Sequence, residues 1–371
     1  MKNKFDIPYE NLKKVNELFK NELYQSAKEV IDSGWYILGR QVESFESQFA
    51  AYCKTNFCVG VANGLDALML SLVSLKLKKG TEVLVPSNTY IATILAIIQA
   101  GLKPILVEPD IATYNISPKA IEEKIGKNTG AILVVHLYGK CCDMMKICSI
   151  AAAYNVPIIE DCAQAHGAKQ YDNIAGSFGS YGAFSFYPTK NLGGLGDGGA
   201  ITVNDQLSYD SLKMLRNYGS RIKYYNEVTG FNSRLDELQA AFLIAKLKSL
   251  HTLTEYKRKL ASIYFDKLSD SYIKPLQEEG YYDVFHIYNV RCNKRDELRQ
   301  YLLDRGIKTE IHYPVPPISQ IAMKGFLDNI NTPIAEMIHE TTLSLPISYG
   351  HSEENIEDIC KVMNEFARRH L

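Results

Sequence analysis

Residues 181–203 read YGAFSFYPTKNLGGLGDGGAITV, and the fold class turns on how this stretch divides. YGAFSF is a short apolar run of strand length and AITVN is a second, so the segment between them is a loop joining two strands. That loop holds Lys190 and five glycines, Gly193, Gly194, Gly196, Gly198 and Gly199. Glycine at this density lets backbone approach a ligand closely or adopt positive φ. Gly194-x-Gly196-x-x-Gly199 has the spacing of a dinucleotide fingerprint, but that fingerprint follows a strand and opens a helix. Here an apolar run follows, so a nicotinamide enzyme is not indicated.

Working outward, TEVLVPS (81–87), KPILVEPD (103–110), GAILVVHLYG (130–139) and VPIIEDCA (156–163) are further short apolar runs bounded by Gly, Pro, Asn or Asp. Continuous β-branched runs of this kind are strands buried on both faces. Between them, positions such as Leu65, Leu68, Met69, Leu72 and Val73 recur at helical spacing. The alternation predicts an α/β fold, a three-layer α/β/α sandwich on a mostly parallel sheet. Beyond Asn232 the segment RLDELQAAFLIAKLKSLHTLTEYKRKLASIYFDKL (234–268) reads as one long helical run bridging two regions. We place a domain boundary near Leu250, giving a large domain over 1–250, with an N-terminal helical segment, and a smaller C-terminal α+β domain over 251–371. In the latter, FHIYNVRC reads as a strand and DELRQYLLDRG as a helix.

The 371 residues carry a formal net charge of -1, and the basic residues are scattered. Nothing in that balance resembles the footprint of a nucleic-acid binder. The opening MKNKFDIPYENLKKV lacks the apolar core of a signal peptide. The longest apolar stretch, near Ile91 to Ile98, falls short of the ~20 residues a membrane span needs. Eight cysteines, Cys53, Cys58, Cys141, Cys142, Cys148, Cys162, Cys292 and Cys360, show no metal-ligand spacing and read as reduced core thiols of a cytoplasmic protein. No metal is expected. Asn115-Ile116-Ser117 matches a glycosylation sequon that has no meaning without secretion.

Ligands of a parallel sheet gather at the carboxyl ends of its strands. Asp161 ends the run VPIIED, and the loop after it offers Cys162, Ala163, Gln164 and His166. Taken alone, Asp161 serves equally well as a helix cap. Lysines are rarely buried, yet Lys190 lies just past a strand in the glycine-rich loop. A lysine and a strand-end carboxylate on different strands suit pyridoxal 5′-phosphate (PLP): the amine forms a Schiff base with the aldehyde and later moves protons, while the carboxylate keeps the pyridine nitrogen protonated. The phosphate wants a helix N-terminus, and Asn63-Gly64-Leu65-Asp66 opens a helix whose Gly64, Leu65 and Asp66 can supply N–H donors. Ser185 can add a hydroxyl, and Tyr90 in PSNTYIAT can lie flat on the ring; each also reads as an ordinary core residue.

The ordered motifs SGWYILGRQVESFE, ANGLDALMLSL, PSNTYIATILAI, EDCAQAHGA, SFYPTKNLGGLGDGGA, GFNSRLDELQAA, IHYPVPP and LSLPI span nearly the whole chain. They resemble those of the DegT/DnrJ/EryC1/StrS sugar aminotransferases, which have the aspartate aminotransferase (type I) PLP fold. The resemblance implies that Lys190 is the Schiff-base lysine, that Asp161 pairs with the pyridine nitrogen and that Gln164 packs near the ring hydroxyl. Gly64, Leu65 and Ser185 then hold the phosphate. Asn232 reaches it from the partner subunit of a homodimer with shared active sites, although Ser233-x-x-Asp236 also forms a capping box that leaves Asn232 a mere helix lead-in. Tyr187, Lys223, Tyr224, His312 and Tyr313 become candidates for the sugar and diphosphate surroundings.

Two positions depart from the family's commonest pattern. Asn63-Gly64-Leu65 stands where many members have Ser-Gly-Thr, which removes one hydroxyl contact and offers Asp66 as substitute. Tyr187 stands where many have His, and SFYPxKNLG resembles the subgroup acting on dTDP-linked 3-keto-6-deoxyhexoses. A branch of the family with histidine at the lysine position dehydrates sugars, and Lys190 argues against it. The implied reaction is a ping-pong transamination from L-glutamate to the ketone of a nucleotide-linked sugar. The alternatives are a 4-keto sugar, a cyclitol ketone such as scyllo-inosose, or a PLP-binding regulatory protein without turnover, for whose additional module this length leaves no room.

Overall fold

A computed structural model describes residues 5–371 of the chain; the first four positions of the N-terminal stretch read for a signal lie outside the described residues. Seven strands form the main sheet: β1 (Phe57–Val61), β2 (Glu82–Pro86), β3 (Lys103–Val107), β4 (Thr129–Val135), β5 (Ile158–Asp161), β6 (Tyr181–Ser185) and β7 (Gly199–Val203). Their order across the sheet is β1-β7-β6-β5-β4-β2-β3. Only β7 runs against its neighbours, pairing antiparallel with both β1 and β6; the pairs among β2, β3, β4, β5 and β6 are parallel. Every apolar run read as a strand is one. β1, FCVGV, escaped that reading because Cys58 and Gly60 interrupt its β-branched character.

The six strands that share a direction end at one edge of the sheet. The loops after Val61, Pro86, Asp161 and Ser185 therefore leave from that edge, as ligand-bearing loops of such sheets do. The turn from β6 back into antiparallel β7 is made there too, by the glycine-rich segment around Lys190. Helices α1 (Arg40–Tyr52), α2 (Gly64–Ser74) and α3 (Ile91–Gln99) cover the sheet. α2 is buried from Ala67 to Leu72.

The long helical run is two helices, α4 (Glu237–Leu247) and α5 (Leu250–Lys267), parted at Lys248 and Ser249. Leu243 and Leu247 pack with the core built on β6 and β7, whereas Leu260, Ala261 and Tyr264 pack into a second core. A straight helix would point one apolar stripe at both, and the break lets each half follow its own. The second core gathers around α6 (Arg295–Leu303), α7 (Glu353–His370) and the antiparallel pair β8 (Tyr288–Arg291) and β9 (Thr342–Leu345). It also takes in Ile7, whose N–H donates to the Gly306 carbonyl at 2.9 Å, so the first described residues pack against the C-terminal region rather than with the main sheet. No helix among the described residues is long and apolar enough to cross a membrane. All eight cysteines are free, and all but Cys148 are buried.

Candidate active site

Asp161 closes β5 with its side chain buried beside the sheet edge. Its Oδ2 accepts from the Thr93 hydroxyl at 2.9 Å and its Oδ1 from the Ala163 N–H at 3.1 Å. Burial pushes this carboxyl above its ordinary range, and these two donors together with the Lys190 charge pull it partly back. Strand alternation sends the preceding residue to the opposite face. There Glu160 accepts from the N–H groups of Gly176, Phe178 and Gly179 at 2.7–2.8 Å and meets His136 Nε2 at 2.9 Å. Both oxygens of Glu160 are thus used in tying the 176–179 loop to β5, which holds the register that aims Asp161.

Lys190 sits in a turn closed by its own N–H to the Tyr187 carbonyl at 2.8 Å. Enclosure by protein lowers its amine from the usual lysine range to about 8, against the opposing pull of the Asp161 charge. Buried His166 is brought down to about 3 and His312 to about 4, by desolvation first and the nearby Lys190 charge second; His286 is lowered in the same way. Three neutral imidazoles therefore stand near one amine that loses its proton easily.

At the helix opposite, Asn63 caps α2 by accepting from the Asp66 N–H at 2.9 Å. This corrects the expectation that Asp66 donates to a phosphate, because its N–H is already taken. Its carboxylate accepts from the Ser233 hydroxyl at 2.7 Å. Ser233 therefore caps no helix: α4 starts at Glu237, and Asp236 makes no side-chain capping bond. Gly64 and Leu65 keep the first-turn N–H groups that a helix leaves unpaired. A Cβ at Gly64 would lie 2.6 Å from the Ser185 Cβ, so glycine is what lets the helix end sit against the Ser185 strand.

These groups open into one cavity of about 570 Å³, lined among others by Gly64, Leu65, Tyr90, Asp161, Gln164, Ser185, Tyr187, Lys190, His312 and Tyr313. Thr93 and His286 line it too. Neither was read from the sequence; Thr93 lies three residues after Tyr90, on the same helical face, and that spacing was the available signal. Gln164 uses both ends of its amide, Oε1 accepting from the Tyr138 N–H at 2.6 Å and Nε2 donating to the Tyr313 hydroxyl at 3.0 Å. The Tyr138 hydroxyl donates to the His312 carbonyl, and the Tyr90 and Tyr313 rings lie 5.2 Å apart. The 312–313 segment is thereby stitched across the cavity from the second core.

Three predicted residues lie outside. Asn232 is exposed beside its bridge to Asn217. Lys223 and Tyr224 form the exposed turn of a small hairpin, Ser220–Ile222 with Tyr225–Asn226, Tyr224 being 84% exposed. None of the three touches the cavity of its own chain.

The donor set fits PLP: a readily neutralised amine, a buried carboxylate for a pyridinium nitrogen, and a helix end with bare N–H groups beside a serine hydroxyl. The fold and this cavity define a PLP-dependent aminotransferase. The profile of the DegT/DnrJ/EryC1/StrS aminotransferase family matches residues 18–364, and the chain belongs to that family. It is 48% identical, over 97% of this chain and 99% of the relative, to the dTDP-3-amino-3,6-dideoxy-alpha-D-galactopyranose transaminase of Aneurinibacillus thermoaerophilus. The solved structure of DesV from S. venezuelae, in complex with a ketimine intermediate, superposes with a TM-score of 0.96 at 41% identity, covering 98% of this chain and 99% of that one. NtdA of Bacillus subtilis, solved with bound cofactor PMP, matches with a TM-score of 0.90 at 27% identity, over 97% of this chain and 85% of that one.

Proposed function

We propose that the enzyme transfers an amino group from L-glutamate to the keto carbon of dTDP-3-keto-6-deoxyhexose, giving dTDP-3-amino-3,6-dideoxyhexose, in a cytoplasmic homodimer. The observation that carries this reading is the 48% identity, across nearly the full length of both chains, to a transaminase whose name specifies a dTDP-linked 3-amino-3,6-dideoxy sugar. The cavity agrees with it. Its inner wall is taken up by the groups suited to the cofactor, while Tyr187, 52% exposed, and the half-buried His312 and Tyr313 leave hydroxyl and imidazole groups for a polyhydroxylated substrate.

When bound, PLP supplies the aldehyde that takes up the amino group and the ring that draws electrons from the reacting carbon. Lys190 holds the cofactor between turnovers. Its amine would then carry the proton between the substrate carbon and the cofactor carbon, for which it must be neutral, and burial has brought it close to that state. Asp161 would face the pyridine nitrogen, with Thr93 and the Ala163 N–H supporting its charge against the effect of burial. Gly64, Leu65 and Ser185 bind the phosphate. Tyr90 would pack on the ring, and Gln164, fixed at both ends, would stand beside the ring hydroxyl. Asn232, Lys223 and Tyr224 enter the cavity of the partner subunit, which makes the dimer the working unit. We also assign residues up to 250 to a large unit and those from 251 to a small one, with the Phe5–Ile7 segment docked on the small unit.

The test is the absorption spectrum of the PLP-loaded enzyme, recorded before and after L-glutamate and then after dTDP-3-keto-6-deoxyglucose. Bleaching by glutamate and recovery with the keto sugar is the expected course. Bleaching without recovery discards the sugar while keeping the aminotransferase, and recovery with free cyclitol ketones instead would redirect the substrate. No band at all in the presence of PLP removes the reading.

A further inference from the structure

Two buried lysines flank the Lys190 loop, and the mechanism uses neither. Lys246 on α4 and Lys257 on α5 are 6% and 8% exposed, and neither has a carboxylate within ion-pair distance among the described residues. Burial lowers both amines from the usual lysine range to about 8, the Glu10 charge pulling Lys257 partly back, and the protonated form is costly there unless oxygens satisfy its protons. Lys246 Nζ donates to the Gly193 carbonyl at 2.7 Å, inside the glycine-rich loop. Lys257 Nζ donates to Asn191 Oδ1 at 2.9 Å and to the His286 carbonyl at 3.2 Å. Asn191 Nδ2 in turn donates to the Val284 carbonyl at 3.1 Å.

The acceptors of Lys257 lie next to the active-site cavity on two sides. Asn191 directly follows Lys190, which lines the cavity, and His286 lines it with an Nδ1 that has no hydrogen-bond partner among the described residues. The loop between β6 and β7 is too rich in glycine to hold one shape by itself. Its side-chain anchors come instead from α4, α5 and the 284–286 segment. A methionine would fill the space of Lys257 without the desolvation cost, so packing alone does not account for an amine there.

We propose that Lys257 and Asn191 are positioning residues for Lys190, the Lys257 amine clamping the lysine loop to the His286 segment so that the reactive amine is held dry and at a fixed place in the cavity. This rests on the assignment of Lys190 as the amine that holds PLP. Breaking the clamp frees the loop, admits water to the amine and lets its pKa climb back toward the ordinary lysine value. Contacts that orient the ligands of a metal site are worth roughly 10- to 100-fold in affinity or activity, and a similar scale is expected here.

The experiment is PLP capture by the full-length protein stripped of cofactor, followed by the visible band and by borohydride trapping across the neutral and alkaline range, with thermal melts alongside. In the parent, capture rises with a midpoint near the Lys190 value of about 8. Lys257→Met and Asn191→Ala are each expected to slow capture by about ten-fold or more and to move that midpoint upward, and the double variant to lose no more than the worse single one. A parent-like rate and midpoint in folded Asn191→Ala, or full additivity in the double variant, overturns the proposal, even if Lys257→Met proves too unstable to assay. Lys190→Ala reports separately: trapping at parent levels there would defeat the assignment of Lys190 itself.

Discussion

The hydroxyl of Thr93, in the first turn of α3, donates to Oδ2 of Asp161 at 2.9 Å, and both groups are buried. The bond joins a helix on one face of the sheet to the last residue of its central strand β5. It also opposes the effect of burial, which would otherwise favour the neutral carboxylic acid. On the proposed reading, in which Asp161 holds a proton on the pyridine nitrogen, a neutral carboxyl would not serve, and a residue distant in sequence helps to set its charge.

Thr93→Val keeps the shape and removes the donor. A hydrogen bond to a charged group contributes about 1.5–3 kcal/mol, so kcat/KM should fall by roughly 10- to 100-fold. The Asp161 pKa rises further, so the acid limb of the kcat/KM profile should move to higher pH. An unchanged acid limb would mean that the Ala163 N–H alone suffices.

Gly64→Ala tests the cradle at the other end of the cavity. The new Cβ would meet Ser185 at 2.6 Å, and either the helix end or the strand must shift. The cost to folding is about 1–3 kcal/mol, as for other overpacked sites. The larger effect should be on PLP affinity, measured by titrating the cofactor-free protein, because the N–H groups of Gly64 and Leu65 move away from the Ser185 hydroxyl. Equal losses in stability with unaltered affinity would place the phosphate elsewhere.

The lowered Lys190 pKa also has a cost in stability. With a folded value of about 8 against an ordinary 10.5, the unfolded chain binds more protons through that window, so the lysine penalises folding fully below pH 8 and progressively less above it. Cofactor-free Lys190→Met should therefore be more stable than the parent at neutral pH, by roughly 1–2 kcal/mol after allowance for the amine's contact with the cavity. The gap should close as pH rises from 8 towards 10.5. The difference between the two melting curves is the quantity to read, because the raised pKa values of buried cysteines such as Cys53 and Cys162 act in the opposite sense in both proteins.

The parallel strands and the Lys190 loop were legible because buried strands and glycine clusters are local patterns. Asp161 and Gln164 could be placed for the same reason, since strand ends are punctuated in sequence. His286, Asn191 and Lys257 were not legible, and Thr93 only through its spacing from Tyr90: their bonds join residues between 29 and 93 positions apart, and no spacing rule encodes such a meeting. The Asp66 expectation gives way to a single competing bond, the Asn63 cap, which is itself a local signal. The break between α4 and α5 went unseen because Lys248 and Ser249 are both tolerated in helices; it is the two separate cores that bend the chain there.

Glu237 separates stability from chemistry. Although it opens α4, its carboxylate caps α1, Oε1 accepting from the Gly39 and Val42 N–H groups at 2.8 and 2.9 Å and Oε2 from that of Gln41 at 2.9 Å. It is 3% exposed, so nothing else can serve those donors, and Gly39 has no space for a Cβ beside it. Glu237→Gln retains the shape but gives up the charge and turns one oxygen into an NH₂ that faces the Gln41 N–H. A loss of about 2–3 kcal/mol is expected in denaturant melts, from one broken charged bond and two weakened ones. The cavity residues do not contact this carboxylate, so PLP affinity and the capture midpoint should match the parent; a shift in either would show that the α1 N-terminus helps to set the active site.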